Sequence, residues 1–499
     1  MSTLMVLLAT QIALGAIDTL WHHELVGRLP SRRQARVESA LHAVRELCYA
    51  VLFYALAWRT WQGAWVASIV TLLVLEVVIT LADFVIEDRT RRLPATERIL
   101  HTMLAINFGA LLAVLAPTLI AWARLPTAIV PADYGVASWL LTAAAVGVLA
   151  FGIRNGLAAR RHFAAPAWER RGLVPKRRAD AKHVLVTGAT GFIGTKLVDR
   201  LIERGDRVTV LVRNREKALD LFGPHAEIVD DLAALPATTR IDAVVNLAGE
   251  SVAGGLWTKR RRALLLASRL GATHALLALV ARLTTPPTTW VNASAVGYYG
   301  ARDGDAPLHE KSASGAGFQA ELCRAWEETA ALAAERGVRV TVLRIGVVLG
   351  RDGGALPSLA RPVRLFAGAV LGSGRQWFSW IHIDDLLELV RFVLDERTLA
   401  GPLNATAPAP APHAEVMTAI AAALGRPLWP LRVPARLLGA VLGELAELFV
   451  AGQRVVPERA LALGFAFRYA TIDAAVADLL ARRPAVDARP PRVRVNDSR

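Results

Sequence analysis

The sequence predicts an α-helical membrane domain followed by an α/β domain, a doubly wound parallel sheet with a small C-terminal domain on its substrate side. Three observations carry this expectation. Apolar residues concentrate before residue 155, and the whole chain of 499 residues has a mean hydropathy of +0.37 with only 20% charged residues, too apolar for a purely water-exposed enzyme. A β-prone run, His183-Val-Leu-Val-Thr187, leads into glycines spaced Gly188-x-x-Gly191-x-x-Gly194 and then into a helix with Ile193, Leu197, Val198, Leu201 and Ile202 on its apolar face. From 183 to about 410 such runs alternate with helical periodicity, the order that builds a parallel sheet covered on both faces.

Taken in chain order, hydropathy gives five spans near 3–20, 44–60, 62–86, 99–122 and 135–153, each about the length that crosses a bilayer core. Arg28, Arg32, Arg33 and Arg36 follow the first, Arg89, Arg91 and Arg92 the third, and a run from Arg154 to Arg178 the fifth; the other two loops carry only Arg59 and Arg124. The positive-inside rule then puts the N-terminus outside and residues 154–499 in the cytoplasm, a multi-pass protein of the cytoplasmic membrane. An interfacial first helix leaves four spans and an inside N-terminus. The opening residues have no basic n-region, so no cleaved signal peptide is expected. Cys48 and Cys323 are the only cysteines, which suggests no disulfide framework.

The membrane half contains an internal repeat. Asp18-Thr-Leu-Trp-His22-His23 precedes Arg28-Leu-Pro30 and Glu38-x-x-x-His42, and Asp83-Phe-Val-Ile-Glu87-Asp88 precedes Arg92-Leu-Pro94 and Glu97-x-x-x-His101. Positions i and i+4 share a helix face, so each Glu and His points one way, and the topology collects all four clusters at the cytoplasmic helix ends. His22, Glu38, His42, Asp83, Glu87, Glu97 and His101 are therefore candidate metal ligands, a supply reminiscent of di-metal carboxylate bundles although those use Glu-x-x-His. A b-type haem on two of His22, His42 and His101 is a smaller alternative. The plain alternative is helix-end charges paired with nearby arginines. Glu76, inside the third span, is costly unless paired, and either joins the site or holds helices together.

Residues 156–181 form a basic linker suited to an anionic lipid surface. The domain from 182 to 415 opens with the glycine turn, where the backbone approaches a pyrophosphate too closely for a Cβ and the helix N-terminus offers free N–H groups. Strand and helix both flank the motif, the context that separates a dinucleotide site from a chance glycine cluster. Gly188, Thr190, Gly191, Phe192, Ile193 and Gly194 thus line the phosphates. The second strand, Val208–Val212, ends in Arg213-Asn-Arg215 with no acid; an acid there would bind NAD ribose hydroxyls, whereas an arginine accommodates the NADP 2′-phosphate, so the expected cofactor is NADP(H). Asp231 and Leu232 border the adenine, and Leu247, Ala248 and Gly249 end a further strand where small residues let the dinucleotide pass.

These residues resemble the extended short-chain dehydrogenase/reductase superfamily, and over 183–481 its atypical branch of sugar-nucleotide epimerase-like proteins. The matching motifs are the glycine triplet, Asn246-Leu-Ala-Gly-Glu-Ser251, Trp257-Thr-Lys, Ser268-Arg269, Ala293-Ser-Ala-Val-Gly-Tyr-Tyr-Gly300, Leu343-Arg-Ile-Gly-Val-Val-Leu-Gly350, Gly372–Asp385 and Gly401-Pro-Leu-Asn-Ala-Thr406. The small domain at 416–481, including Gly464-Phe-Ala-Phe-Arg468, fits the same branch; residues 482–499, rich in Arg and Pro, read as a disordered tail. The first 155 residues have no counterpart in the resemblance.

The resemblance also marks a departure. Typical members use a Tyr-x-x-x-Lys pair for proton transfer, but Gln319 and Cys323 stand at those positions. The atypical branch lacks the pair too. A proton must then come from another group near the nicotinamide, and the candidates are Ser294, Tyr298 or Tyr299, and Glu321. Arg375 and His382 lie in the region that in related epimerases contacts the substrate or supports its domain, Arg375 suiting an anionic group and His382 being more often a buried structural residue than a ligand or catalyst.

Two function classes remain. One is a membrane-anchored NADP(H)-dependent oxidoreductase or epimerase-like enzyme acting on a small molecule, lipid-soluble or sugar-nucleotide-like. The other is a non-catalytic NADP(H)-binding regulatory or scaffold module tethered to the bilayer. Nucleic-acid binding is excluded, because the net charge of +15 sits largely at membrane boundaries and no reading motif accompanies it.

Overall fold

The computed structural model describes residues 2–21, 35–90, 94–163, 165–176, 178–302 and 304–481. His22 and the predicted tail at 482–499 lie outside them. The chain forms two compact units, Met1–Pro166 and Ala167–Arg499.

The first unit is a helical bundle. Its elements are α1 (Ser2–Ile17), α2 (Arg36–Trp58), β1 (Arg59–Gln62), α3 (Val66–Thr90), α4 (Ala95–Ala123), β2 (Ala128–Pro131) and α5 (Val136–Phe163). Among its described residues five helical stretches are long and apolar enough to cross a membrane, by length and composition: Thr3–Trp21, Arg36–Trp58, Gly63–Glu87, Ala95–Ala123 and Val136–Arg160. The hydropathy spans find them, but two run further than expected. Helix α2 begins at Arg36 rather than near 44, and α5 continues to Phe163 rather than ending near 153. Charged residues depress hydropathy without breaking the hydrogen-bond ladder, so composition underestimates a helix whose end is polar. After Ile17 the chain makes one π-helical turn over residues 18–21, a local widening often found at functional positions.

Strands β1 and β2 pair antiparallel, Arg59 opposite Pro131 and Gln62 opposite Ala128. The loops after α2 and α4 therefore sit at the same end of the bundle. Helix α1 packs on α4, and α2 packs on α3 and along α5. The α2–α5 contact is close because Gly152 has no side chain: a Cβ there would lie 3.2 Å from Glu46 Cβ and 3.4 Å from the Ala43 carbonyl.

The second unit is built on a seven-stranded parallel sheet. Along the chain come β3 (His183–Thr187), α6 (Phe192–Arg204), β4 (Arg207–Leu211), α7 (Arg215–Phe222), β5 (Glu227–Val229), β6 (Ala243–Asn246), α8 (Lys259–Arg282), β7 (Thr289–Ala295) and α9 (Phe318–Ala331). Then follow β8 (Arg339–Ile345), β9 (Val347–Leu349), β10 (Trp377–Phe378), β11 (Trp380–His382), α10 (Ile383–Asp395), β12 (Gly401–Ala405), α11 (His413–Leu424) and α12 (Ile472–Leu480). The spatial order is β12-β8-β7-β6-β3-β4-β5, the doubly wound Rossmann topology, with its reversal point between β3 and β6.

Alternation along β3 divides the interior. Val184 and Val186 join Leu197, Val198 and Leu201 of α6 and Leu386 and Val390 of α10, whereas Leu185 faces Leu276 and Leu279 of α8. Helix α8 is itself apolar and 24 residues long, but its buried face packs on the sheet.

The linker and the C-terminal domain are bounded differently from the sequence reading. The end of the expected linker belongs to the second unit: Leu173 is in the core, and Trp168 packs where a Cβ on Gly223 would collide with it. The residues expected as a separate small domain share a second core with Leu349, Leu356, Val363 and Trp380. That core is completed by α11 and α12, so it begins well before residue 416 and is not an independent module.

Candidate functional site

The glycine turn lies at the reversal point of the sheet. Gly188 has φ +68°, and a Cβ on it would come within 2.5 Å of the Leu247 carbonyl oxygen, so the turns after β3 and β6 touch only because this residue is glycine. A Cβ on Gly194 would strike Gly188 and Ala189, which is how α6 lies so close to β3. Gly191 is the N-cap of α6, and the first amides of that helix have no backbone acceptor within it. Phe192 turns its ring onto Gly350 and Gly353, and Ile193 packs on the core, so both can serve a phosphate through backbone N–H groups only.

Beneath the turn a buried polar network fixes the strands. Thr187 Oγ1 donates to Asn246 Oδ1 at 2.7 Å, and Asn246 Nδ2 donates to Asn292 Oδ1 at 2.8 Å and to Thr273 Oγ1 at 2.9 Å. Ala248 N donates to Thr187 Oγ1 at 3.2 Å, which ties the Leu247–Gly249 turn to β3. Each buried polar atom so satisfied holds its strand end in one position.

On the ribose side Arg213 is exposed just past β4, with Glu250 3.7 Å away. Asn214 caps α7, and Arg215 donates to the Ile228 carbonyl. Lys217, not singled out from sequence, reaches the Thr190 carbonyl at 2.9 Å and adds a second cation beside the glycine turn. Its signal was present in the sequence, four residues beyond Arg213 on the helix that opens after β4. Asp231 accepts from Ala233 N at 2.9 Å, and the Leu232 side chain is in the core, so only its backbone remains for an adenine.

The β7 end carries the expected catalytic group, with corrections. Ser294 is buried and its hydroxyl donates to Glu327 Oε1 at 2.6 Å. Glu327 also receives Arg344, Nη2 to Oε2 at 2.9 Å and Nε to Oε1 at 3.1 Å. Burial alone would weaken the Arg344 charge, but Glu327 and Tyr299 raise its pKa. Ser294 is thus committed to a structural ion pair and is a poor proton donor. Tyr299 is fully buried and donates to Asn404 Oδ1 at 2.7 Å. Glu321 is exposed on α9, about 200° around the helix from Gln319, and does not join the site.

Tyr298 remains. Its ring lies under the Arg344 guanidinium, 3.4 Å from carbon to centroid, and among the described residues its hydroxyl has no hydrogen-bond partner. At the Tyr and Lys positions of the usual pair, a Cβ on Gly297 would touch Gln319 Oε1 at 3.0 Å, and Cys323 is buried against the Ala295 carbonyl. Burial pushes the Cys323 thiol up to about 11, so it is neutral and unreactive.

The two substrate candidates part company. Arg375 is exposed, and among the described residues only its backbone N makes a bond, to Ser373 Oγ at 3.2 Å. His382 is structural: Nδ1 accepts from Asp384 N at 3.1 Å to cap α10, Nε2 faces Asp478 at 3.5 Å, and the ring stacks on Tyr469 at 3.8 Å. Burial lowers its pKa despite the nearby acids.

In the bundle, among the described residues, two groups of ligand-type atoms lie mutually within 4.8 Å: Asp18, Glu97 and His101, and Glu38, His42 and Glu87. Asp18 therefore takes a place not assigned to it from sequence. Asp83 falls outside both groups, bonding His42 Nε2 at 2.8 Å and accepting from Arg45 at 3.2 Å. His42 Nε2 is bonded to Asp83 and His101 Nε2 to Asp18, which does not suit a haem shared between them. Glu76 accepts from Tyr49 at 2.7 Å and Thr80 at 3.0 Å, joining α2 to α3.

Comparison with known proteins places the second unit. The family model for the NAD dependent epimerase/dehydratase family matches residues 184–404, and a Domain of unknown function (DUF1731) matches 433–479. The chain is 40% identical over 326 residues to an epimerase family protein SDR39U1 homolog, chloroplastic, of Arabidopsis thaliana, covering 64% of this chain and 93% of the relative. It is 34% identical over 308 residues to the epimerase family protein YfhF of Bacillus subtilis (strain 168), covering 61% and 100%. Among solved structures, human epimerase family protein SDR39U1 (isoform 2) with NADPH is 36% identical, with a TM-score of 0.56 over 60% of this chain and all of that one.

Proposed function

This chain belongs to the NAD dependent epimerase/dehydratase family, and from that premise we propose that it is a membrane-anchored NADP(H)-dependent oxidoreductase or epimerase-like enzyme. The observation that carries the reading is the glycine turn at the sheet's reversal point with Arg213 and Lys217 beside it. Arg213 is placed past the second strand, where a 2′-phosphate needs a cation, and the NADPH bound to the human relative supports that choice. The five apolar helices of the first unit support the anchor, with the second unit on the cytoplasmic side.

Bound NADPH supplies a hydride. The protein's part is to hold the dinucleotide by the α6 amides and Arg213, and to give the substrate oxygen a proton from the Tyr298 hydroxyl. The transfer leaves a phenolate on a ring that Arg344 holds in place from its face. Solvent re-protonates it, so each cycle consumes one hydride and one proton for one carbonyl reduced. Arg375 would meet an anionic group on the substrate.

Gln319 and Cys323 in place of the usual pair favour a second reading, a tethered NADP(H)-binding module without turnover. Cofactor binding tests the shared part. In the full-length protein, Arg213→Ala should raise the Kd for NADPH about tenfold or more, the value of a charge-assisted contact, and leave that for NADH nearly unchanged. Equal affinities for both cofactors in the parent would remove the NADP(H) assignment. NADPH oxidation against lipid-soluble carbonyl compounds and sugar nucleotides then separates enzyme from module.

A further inference from the structure

The repeated segments of the bundle meet in a crossed pattern. Asp18, from the first repeat, bonds His101 of the second, with Oδ2 and Nε2 3.1 Å apart; Asp83, from the second, bonds His42 of the first at 2.8 Å. Each histidine thus faces the acid of the other repeat, and the helix pairs α1–α4 and α2–α3 are arranged to allow it. A duplicated sequence has folded into a pseudo-symmetric site.

Around this exchange stand the two groups of three, and Glu87 links them. It is grouped with Glu38 and His42, and its Oε2 lies 3.4 Å from His101 Nδ1. Asp18 Oδ2 and His101 Nε2, 3.1 Å apart, stand at the separation of about 3–3.5 Å expected of two atoms sharing one ion at about 2.0–2.2 Å. Glu38, His42, Glu87, Glu97 and Asp18 are buried. Helix-end charges that serve only solubility would reach water instead.

A cavity of about 480 Å³ opens beside the first group. Asp18 and His101 line it together with apolar side chains such as Phe84, Leu104 and Phe108. The π-helical turn at 18–21 carries Asp18 into this wall.

We propose that the bundle binds two divalent first-row transition-metal ions, one at Asp18, Glu97 and His101 and the other at Glu38, His42 and Glu87, with Glu87 also orienting the His101 ring through Nδ1. Mixed imidazole and carboxylate donors suit iron, manganese or zinc rather than calcium or copper(I). The Asp83 carboxylate orients the His42 ring, as a carboxylate beside a ligand histidine does. The ion at Asp18 and His101 is reached through the apolar cavity, so a molecule meeting it is lipid-soluble. The proposal rests on the bundle alone and stands whether or not the second unit turns over NADPH.

The test is the metal content of the full-length protein in detergent, measured by plasma mass spectrometry with NADPH binding as a check on the second unit. The parent should hold about two equivalents of iron, manganese or zinc, and His42→Ala and His101→Ala about one each. Glu87→Gln should lower both. Where a variant does not fold, chelator-treated parent titrated with Mn²⁺ gives the second reading: uptake of about two equivalents with a rise in melting temperature. Less than about 0.2 equivalents in the parent with no uptake from Mn²⁺, Fe²⁺ or Zn²⁺ would overturn the proposal, leaving the acids neutralised by neighbouring arginines. A haem absorption band, or metal unchanged in both histidine variants, would overturn it equally.

Discussion

Replacing Tyr298 with Phe removes one oxygen from a ring that keeps its packing against Arg344, so the change isolates the hydroxyl. If that hydroxyl protonates substrate, Tyr298→Phe lowers kcat about 100-fold or more, within the range of general acid catalysis, and leaves the Kd for NADPH alone. Ser294→Ala should behave otherwise. Its hydroxyl serves Glu327, which Arg344 still holds, so stability falls by about 1 kcal/mol and kcat by less than about tenfold. His382 gives a pH signature. Burial lowers its folded pKa beneath the unfolded value of about 6.5, so its contribution is complete above that pH and falls as acid protonates the unfolded chain. The melting temperature of the parent should therefore drop more between pH 7 and pH 5 than that of His382→Gln; equal drops would assign the acid sensitivity elsewhere. The glycine turn was legible residue by residue because its spacing is local. The Ser294–Glu327–Arg344 chain was not, since it joins three elements through contacts that no short window contains.

At the scale of elements, β3, β4, β6, β7 and β8 were readable as apolar runs because a parallel strand is buried on both faces. The edge strand β12, which opens on Gly401-Pro402, was missed, as were the three-residue β5 and the short strands β9, β10 and β11. The last four are too brief to carry a period, and tertiary pairing, not propensity, defines them. The Gly464–Arg468 segment is anchored by one residue: Asp385, buried at the start of α10, accepts from Arg468 N and Tyr469 N, both at 2.9 Å. Asp385→Ala leaves the buried Tyr469 amide and the partly buried Arg468 amide unpaired and should cost about 1–3 kcal/mol, read by denaturant melting of the second unit. In the bundle, the β1–β2 pairing puts two loops at one end. With the proposed orientation, a cysteine at Asp133 should react with an impermeant maleimide in intact cells, and one at Arg170 only after the membrane is opened. The reverse pattern would invert the topology.

The whole molecule joins a bundle with internal symmetry to a dinucleotide domain. Both units were visible in the sequence through the change in composition and the glycine turn. Where one ends and the other begins was less visible, because α5 runs on past its apolar stretch and residues 167–173 pack into the second unit. The repeat was legible as a pattern, but the exchange of Asp18 and Asp83 between the two histidines required the folded helices. Catalysis without the usual Tyr/Lys pair is the central claim, and one measurement bears on it most directly. Full-length protein with 4-deuterated NADPH is incubated with a membrane-lipid extract and, separately, a sugar-nucleotide pool, and the products are searched for deuterium by mass spectrometry. An NADP(H)-dependent enzyme should move the label into a discrete product, with transfer falling about 100-fold in Tyr298→Phe while NADPH still binds. NADPH bound tightly and its deuterium retained against both pools would contradict the claim and make the second unit a binding module.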